Sequence, residues 1–176
     1  MALINNIMNN VPVPKVVLSP FDKIIEVTSY VALIAFWLMN AFAFTTLPET
    51  IPTHYNSMGE VDGYGPKATI FFLPVLGTVL FVFLTFIIKK PETFNYTVEI
   101  TEENAIEQYT NSTKLLRFMK LALLLLFILI DYKTIATSKG NSDGLGKWFL
   151  PFTIALIFIP IVFSVYKSFS NKEIRK

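Results

Sequence analysis

The residues whose types could do chemistry crowd into one stretch. Leu47–Lys67 reads LPETIPTHYNSMGEVDGYGPK and holds the chain's single histidine, His54, with Glu49, Asn56, Glu60, Asp62 and Lys67. A zinc hydrolase needs three protein ligands, a water and a general base. One histidine with carboxylates five, six and eight residues away is a poor ligand set, and no His-Glu-x-x-His pair exists. A calcium loop needs six to eight oxygens at regular spacing, which Asn56, Glu60 and Asp62 do not supply. The chain has no cysteine, so thiolate nucleophiles, thiolate metal sites and disulfides are excluded. No serine sits in a nucleophile elbow. What remains is recognition chemistry, with no catalysis, no cofactor and no metal expected. His54 either touches a ligand or braces the loop through a carbonyl or Glu49. Asp62 either opens a turn and accepts backbone amides or touches a ligand. Lys67 either marks a membrane boundary or pairs with Asp62 or Glu60.

Two further polar residues, Asn40 and Asp131, fall inside or beside apolar runs. A carboxylate at membrane depth is a functional candidate. Asp131 lies near the outer end of its run, flanked by Tyr132 and Lys133, which favours an interfacial place. Asn40 is expected to hydrogen-bond a neighbouring helix.

These residues must be positioned by elements, and the composition says which kind. Of 176 residues, 53% are apolar and only 16% charged, and mean hydropathy is +0.53. A soluble domain carries about 25% charge and could not hide this apolar surface in one core. A spanning helix needs about 20 apolar residues. Val27–Pro48, Ala68–Ile88 and Trp148–Tyr166 are uncharged runs of 22, 21 and 19 residues. A fourth segment, about Leu116–Ala136, has only ten uncharged residues between Lys120 and Asp131. It is expected to span if Arg117 and Lys120 snorkel to one surface; the alternative is a half-buried interfacial helix. Pro74, Gly77, Pro151 and Pro160 are expected to kink or loosen their helices.

The expected fold is an all-α integral membrane protein with four transmembrane helices, an ordered extracytoplasmic Pro/Gly-rich loop and a small cytoplasmic connector. The start does not read as a cleaved signal peptide. With both termini on one side, that side holds 11 Lys and Arg and the other holds 4, so both termini are expected in the cytoplasm. The organisation reads as a cytoplasmic segment 1–26, a helix–loop–helix membrane domain 27–88 with its loop at 47–67, and a connector 89–114. A second helix pair 115–167 and a tail 168–176 follow. The net charge of +2 argues against nucleic acid. Expected partners are the lipid bilayer, an extracellular peptide or envelope ligand, and a homo-oligomer or membrane partner.

Two connectors carry local signals. Phe94, Tyr96, Val98 and Ile100 alternate with polar residues, a strand signal for which Val11–Leu18 is the candidate partner. Thr101 reads as an N-cap with Glu102 and Glu103 in the first turn, and that helix runs on into the third apolar segment. Residues 139–147 hold three glycines and read as a turn beside the main loop. Within the main loop, Pro48 and Pro52 end the first helix, Asp62-Gly63 is a tight-turn signal, Gly63 and Gly65 permit positive φ, and Pro66 opens the second span.

The loop resembles the bacterial domain of unknown function 1648 family. Its pattern, Leu-Pro-x-x-Ile-Pro-x-His-x-Asn-x-x-Gly-x-x-Asp-Gly-x-x-x-Lys, is matched by Leu47, Pro48, Ile51, Pro52, His54, Asn56, Gly59, Asp62, Gly63 and Lys67. The resemblance covers about residues 32–86. The remainder is similar to stand-alone members through Phe21-Asp22-Lys23, Ile100–Asn104 and Gln108-Tyr109. The same domain occurs in SdpI-type immunity proteins, which implies recognition of an extracytoplasmic toxin or envelope component, in immunity or envelope signalling. Transport, or service as a transporter's accessory subunit, is the second expectation. An intramembrane enzyme using His54 with Glu49 or Asp62 is the third.

Overall fold

The structure, a computed structural model, describes residues 16–173, with side chains to residue 170. The chain begins with α1 (Pro20–Phe44), then a hairpin of β1 (Thr50–Tyr55) and β2 (Val61–Pro66). A 3₁₀ turn (Lys67–Phe71) leads into α2 (Phe72–Ile87). A second 3₁₀ turn (Pro91–Thr93) precedes α3 (Ala105–Ser138), and α4 (Phe149–Glu173) closes the described chain.

Local sequence explains most of these boundaries. Ser19 caps α1 in a reciprocal box: its hydroxyl accepts from the Asp22 N–H, and the Asp22 carboxylate accepts from the Ser19 N–H at 2.8 Å. Pro20 at the first helical position needs no N–H there. α1 ends at Phe44, with Pro48 and Pro52 beyond it. Pro74 stands in the first turn of α2 and Pro151 in the first turn of α4, where a missing N–H costs nothing. The expected loosening at those two prolines therefore has no cause. Only Pro160 is inside a helix, and α4 continues through it.

α3 is the hub, packed against α1, α2 and α4. At one end, Lys120 of α3 reaches Glu26 of α1 and Thr85 of α2, while Gln108 accepts from the hydroxyl of Ser168 in α4 at 2.7 Å. At the other end, Ile135 of α3 packs against Ala43 of α1 and Ile70, beneath Leu47 and Ile51 of the loop. α1 and α3 thus run one way, α2 and α4 the other. Among the described residues, three helices are long and apolar enough to cross a membrane: Pro20–Phe44, Lys67–Ile87 and Phe149–Ser170.

α3 holds 34 residues, about 51 Å of helix, and is not in that set. Three of its charged residues, Arg117, Lys120 and Asp131, are buried. Lys120 has a side chain with no exposed surface, and Arg117 is buried beside it. Glu26 accepts from the Lys120 ammonium at 2.7 Å and faces the Arg117 Nε at 3.2 Å. The Lys120 Nζ also stands 4.6 Å from the centre of the Phe81 ring. The expectation that Arg117 and Lys120 snorkel outward is therefore overturned. Glu26, Thr85 and the aromatic ring offer them more than a distant surface does.

The connector departs from expectation in two ways. Residues 94–100 form no strand. Phe94 and Tyr96 stack with ring centres 6.2 Å apart, and the Tyr96 hydroxyl donates to the Pro91 carbonyl at 2.8 Å. The segment folds onto the start of α3 instead of pairing. Its candidate partner lies outside the described residues at 11–15, and 16–18 is not a strand. The cap is not Thr101 either. Asn104 takes the N-cap position, and its side chain turns back to accept from the Thr101 N–H and donate to the Glu99 carbonyl, each at 2.9 Å. That closes a turn over 101–104 and leaves Glu102 and Glu103 before the helix. α3 then runs unbroken into the third apolar segment.

Candidate functional site

The motif loop is a β-hairpin seated on helix ends. β1 and β2 pair antiparallel from Thr50↔Pro66 to Tyr55↔Val61. The bend is at 56–60, not at Asp62-Gly63. The Asn56 side-chain oxygen accepts from the Met58 and Glu60 N–H groups at 2.9 and 3.1 Å, an Asx turn that closes the hairpin. Gly59 takes the positive φ of 74° that this bend needs. Gly63 does not; it sits opposite His54, where a Cβ would come within 3.0 Å of the His54 Cβ. Gly65 likewise makes room for the Thr53 side chain.

That space lets His54 lie across the strands. Its Nδ1 is 2.5 Å from the Asp62 Oδ1, with the side chains 72% and 42% exposed. Asp62 therefore serves the imidazole and not backbone amides, and His54 is braced by Asp62, not by Glu49. Glu49 instead pairs with Lys67 at 2.9 Å, and the two also share a backbone hydrogen bond. Lys67 stands over the Phe44 ring at 5.1 Å as well. The pairing of Lys67 with Asp62 or Glu60 does not occur, because the strand register sets Glu49 beside Lys67. Asn56 also donates to Glu60 at 3.1 Å. His54 with Asp62 and Asn56 with Glu60 thus form two hydrogen-bonded pairs on the exposed part of the hairpin.

The hairpin is fixed from below and from the side. Leu47 and Ile51 are buried with Ala43 and Ile70. Pro48 carries the turn out of α1, and Pro52 sits in β1 opposite Tyr64. From the side, the 139–147 segment docks on the bend: the Leu145 N–H donates to the Gly59 carbonyl at 2.8 Å, and Glu60 bridges to Gly144. A Cβ on Gly59 would meet the Gly146 carbonyl at 2.5 Å, so this contact needs glycine.

Beneath the hairpin lies a cavity of about 400 Å³, lined by Ile51, Pro52 and Tyr55 of β1, Ile70 and Leu73, and Asp131 and Thr134 of α3, among others. Tyr55 and Thr134 share a hydroxyl hydrogen bond at 2.8 Å. Burial pushes the Tyr55 phenol up from its ordinary pKa, so it keeps its proton at neutral pH. Asp131 is 4% exposed, and its Oδ2 has no protein hydrogen-bond partner. It is buried within the protein: α3 turns this face inward, and the flanking Tyr132 is the exposed one. Asn40 of α1 is wholly buried, donates to the Phe36 carbonyl at 3.0 Å and lies beside Asp131. Asn40 thus reaches a neighbouring helix. Among the described residues no ion pair involves Asp131, and no three His, Cys, Asp or Glu come together.

Sequence reasoning reached both Asn40 and Asp131 but did not join them to the loop. It missed the Glu26–Arg117–Lys120 cluster. The signal was present: Arg117 and Lys120 are three apart, hence on one helix face, and Glu26 opens an otherwise uncharged run.

Taken together, the apolar helices and the hairpin define a helical multi-pass membrane protein with a structured polar cap on one end. Residues 31–78, from mid-α1 through the hairpin into α2, match the family model "Domain of unknown function (DUF1648)". An uncharacterized protein of Archaeoglobus fulgidus is 25% identical over 182 residues, covering 96% of this chain and 98% of the relative. No solved structure matches.

Proposed function

We propose that the protein is a non-catalytic receptor of a cell membrane: its 47–67 hairpin recognises an extracytoplasmic ligand, in immunity or envelope signalling. The observation that carries this reading is the hairpin's construction. His54 is held by Asp62 and Asn56 by Glu60, both pairs on exposed parts of the hairpin, and polar groups on a rigid support suit binding. Family likeness to SdpI-type immunity proteins is the second support.

The reading includes four spans, with both termini in the cytoplasm of a bacterial cell. The support for the fourth is geometric. α3 is bound to α1 from Lys120, which meets Glu26 near the start of α1, to Ile135, which packs at the cluster holding Ala43 near its end, so this stretch of α3 runs alongside α1 through the membrane. The excess of Lys and Arg on the terminal side supports the orientation. Transport is the second reading, favoured by one observation, the buried Glu26–Arg117–Lys120 cluster joining α1 and α3. Intramembrane ionisable groups commonly mark ion or substrate paths.

The test uses the cysteine-free chain. Ser57→Cys and Glu102→Cys are labelled separately in intact cells with a membrane-impermeant maleimide, then after lysis. Labelling of Ser57→Cys in intact cells, and of Glu102→Cys only after lysis, is expected. Ser57→Cys labelling only after lysis overturns external recognition. Deletion of the gene is expected to change sensitivity to an external agent. Full protection by a chain with His54, Asn56 and Asp62 all changed to Ala removes the hairpin from that role.

A further inference from the structure

We propose that the cavity beneath the hairpin is a binding site for a primary alkylammonium, its nitrogen held by Asp131 and its apolar chain by Ile51, Ile70 and Leu73. This rests on the receptor reading only in placing the ligand on the hairpin side. A buried carboxylate oxygen without a partner is costly and persists where something satisfies it. Asp131 has such an oxygen, is 96% enclosed by its 4% exposure, and faces no Lys, Arg or His in any ion pair among the described residues. A proton or a cation must therefore compensate it.

The cavity favours the cation. Its volume of about 400 Å³ is within the range of small-molecule sites, about 300–1,000 Å³. The other polar side chains lining it, Tyr55, Thr53, Thr69 and Thr134, carry hydroxyls, each able to accept a hydrogen bond. No lining side chain brings a positive charge. An ammonium has three N–H donors and no acceptor, which matches one carboxylate ringed by hydroxyls. The apolar lining matches an alkyl chain, and an inorganic cation would leave that surface unfilled.

The experiment uses the full chain purified in detergent, where there are no sides. The probe is n-hexylammonium chloride. Sodium chloride of equal ionic strength and n-hexanol are the controls, and thermal unfolding and calorimetric titration are the readouts. Saturable stabilisation by hexylammonium alone is expected. Asp131→Asn, which keeps shape and removes charge, is expected to weaken binding about tenfold or more. Thr134→Val should weaken it less; it keeps the inference testable if Asp131→Asn fails to fold. Equal effects of hexanol and hexylammonium mean a neutral, proton-bearing Asp131 and overturn the inference. So does an equal effect of sodium chloride, or unchanged binding to a folded Asp131→Asn or, where that variant does not fold, to Thr134→Val. Such failure leaves the receptor reading standing, because that is decided by the labelling and by the triple alanine chain.

Discussion

The residues that matter most in this chain are those whose partners lie far away in sequence. Glu26 neutralises one of two buried cations 91 and 94 residues on. Removing one member of a buried charge network costs about 3–5 kcal/mol, since the rest stay buried and unpaired. Glu26→Gln is therefore expected to lower unfolding free energy in detergent by about that amount, and adding Lys120→Met should recover part of it. A loss below about 0.5 kcal/mol, the usual size for a surface site, would show the cluster to be solvated. Tyr96 gives a pH test. Burial pushes its phenol from 10.0 up to about 12, so the folded state prefers the protonated form. Its contribution is fully present below pH 10 and is lost as pH rises through about 12. Alkaline unfolding of the wild-type chain should steepen over that window, and Tyr96→Phe should flatten it. An unchanged slope in that variant assigns the alkaline transition to another group.

At the scale of elements, the hairpin stands because its inner face is apolar while its outer face is not. Ile51 is 1% exposed and shares its core with Leu47, Ala43 and Ile70. Ile51→Ala is expected to cost about 2–5 kcal/mol and to release the strands from the helix ends. Amide exchange in β1 and β2 should accelerate more than in α3. Uniform acceleration would show that the hairpin unfolds only with the whole molecule. The alternation that foretold a strand at Phe94–Ile100 did not produce one, whereas β1 and β2, with Pro52, Gly63 and Gly65 inside them, did pair. Alternation needs a partner edge, and β1 has one five residues on, whereas 94–100 packs its aromatics on α3.

At the scale of the molecule, the helix with the weakest apolar signal is the one in the middle. α3 keeps Arg117, Lys120, Asp131 and Thr134 buried against its neighbours, while α2 and α4 turn Phe83, Phe86, Phe158, Ile159, Val162 and Phe163 outward. That inversion suits a bilayer, where apolar side chains face lipid and polar ones are satisfied inside. It also yields a test of topology. Leu145 is hydrogen-bonded to Gly59, so 139–147 and the hairpin occupy one side. Asn141→Cys is expected to label in intact cells together with Ser57→Cys. Opposite labelling of the two would contradict the packing itself.

The sequence alone determined the apolar spans, the membrane class and the motif loop, since these depend on composition and on spacing over about twenty residues. The end of α1 before Pro48 and the unbroken run of the connector helix into the third apolar segment were equally local. The tertiary structure decided where the bend falls, that Lys67 pairs with Glu49, and that His54 pairs with Asp62, because strand register sets those neighbours. It also decided that Arg117 and Lys120 turn inward and that Asn40, Tyr55, Asp131 and Thr134 meet under the hairpin. The bonds of Thr134 to Tyr55 and of Lys120 to Glu26 join residues 79 and 94 positions apart. No local periodicity encodes such a meeting; it follows from how three helices and a hairpin exclude one another's volume.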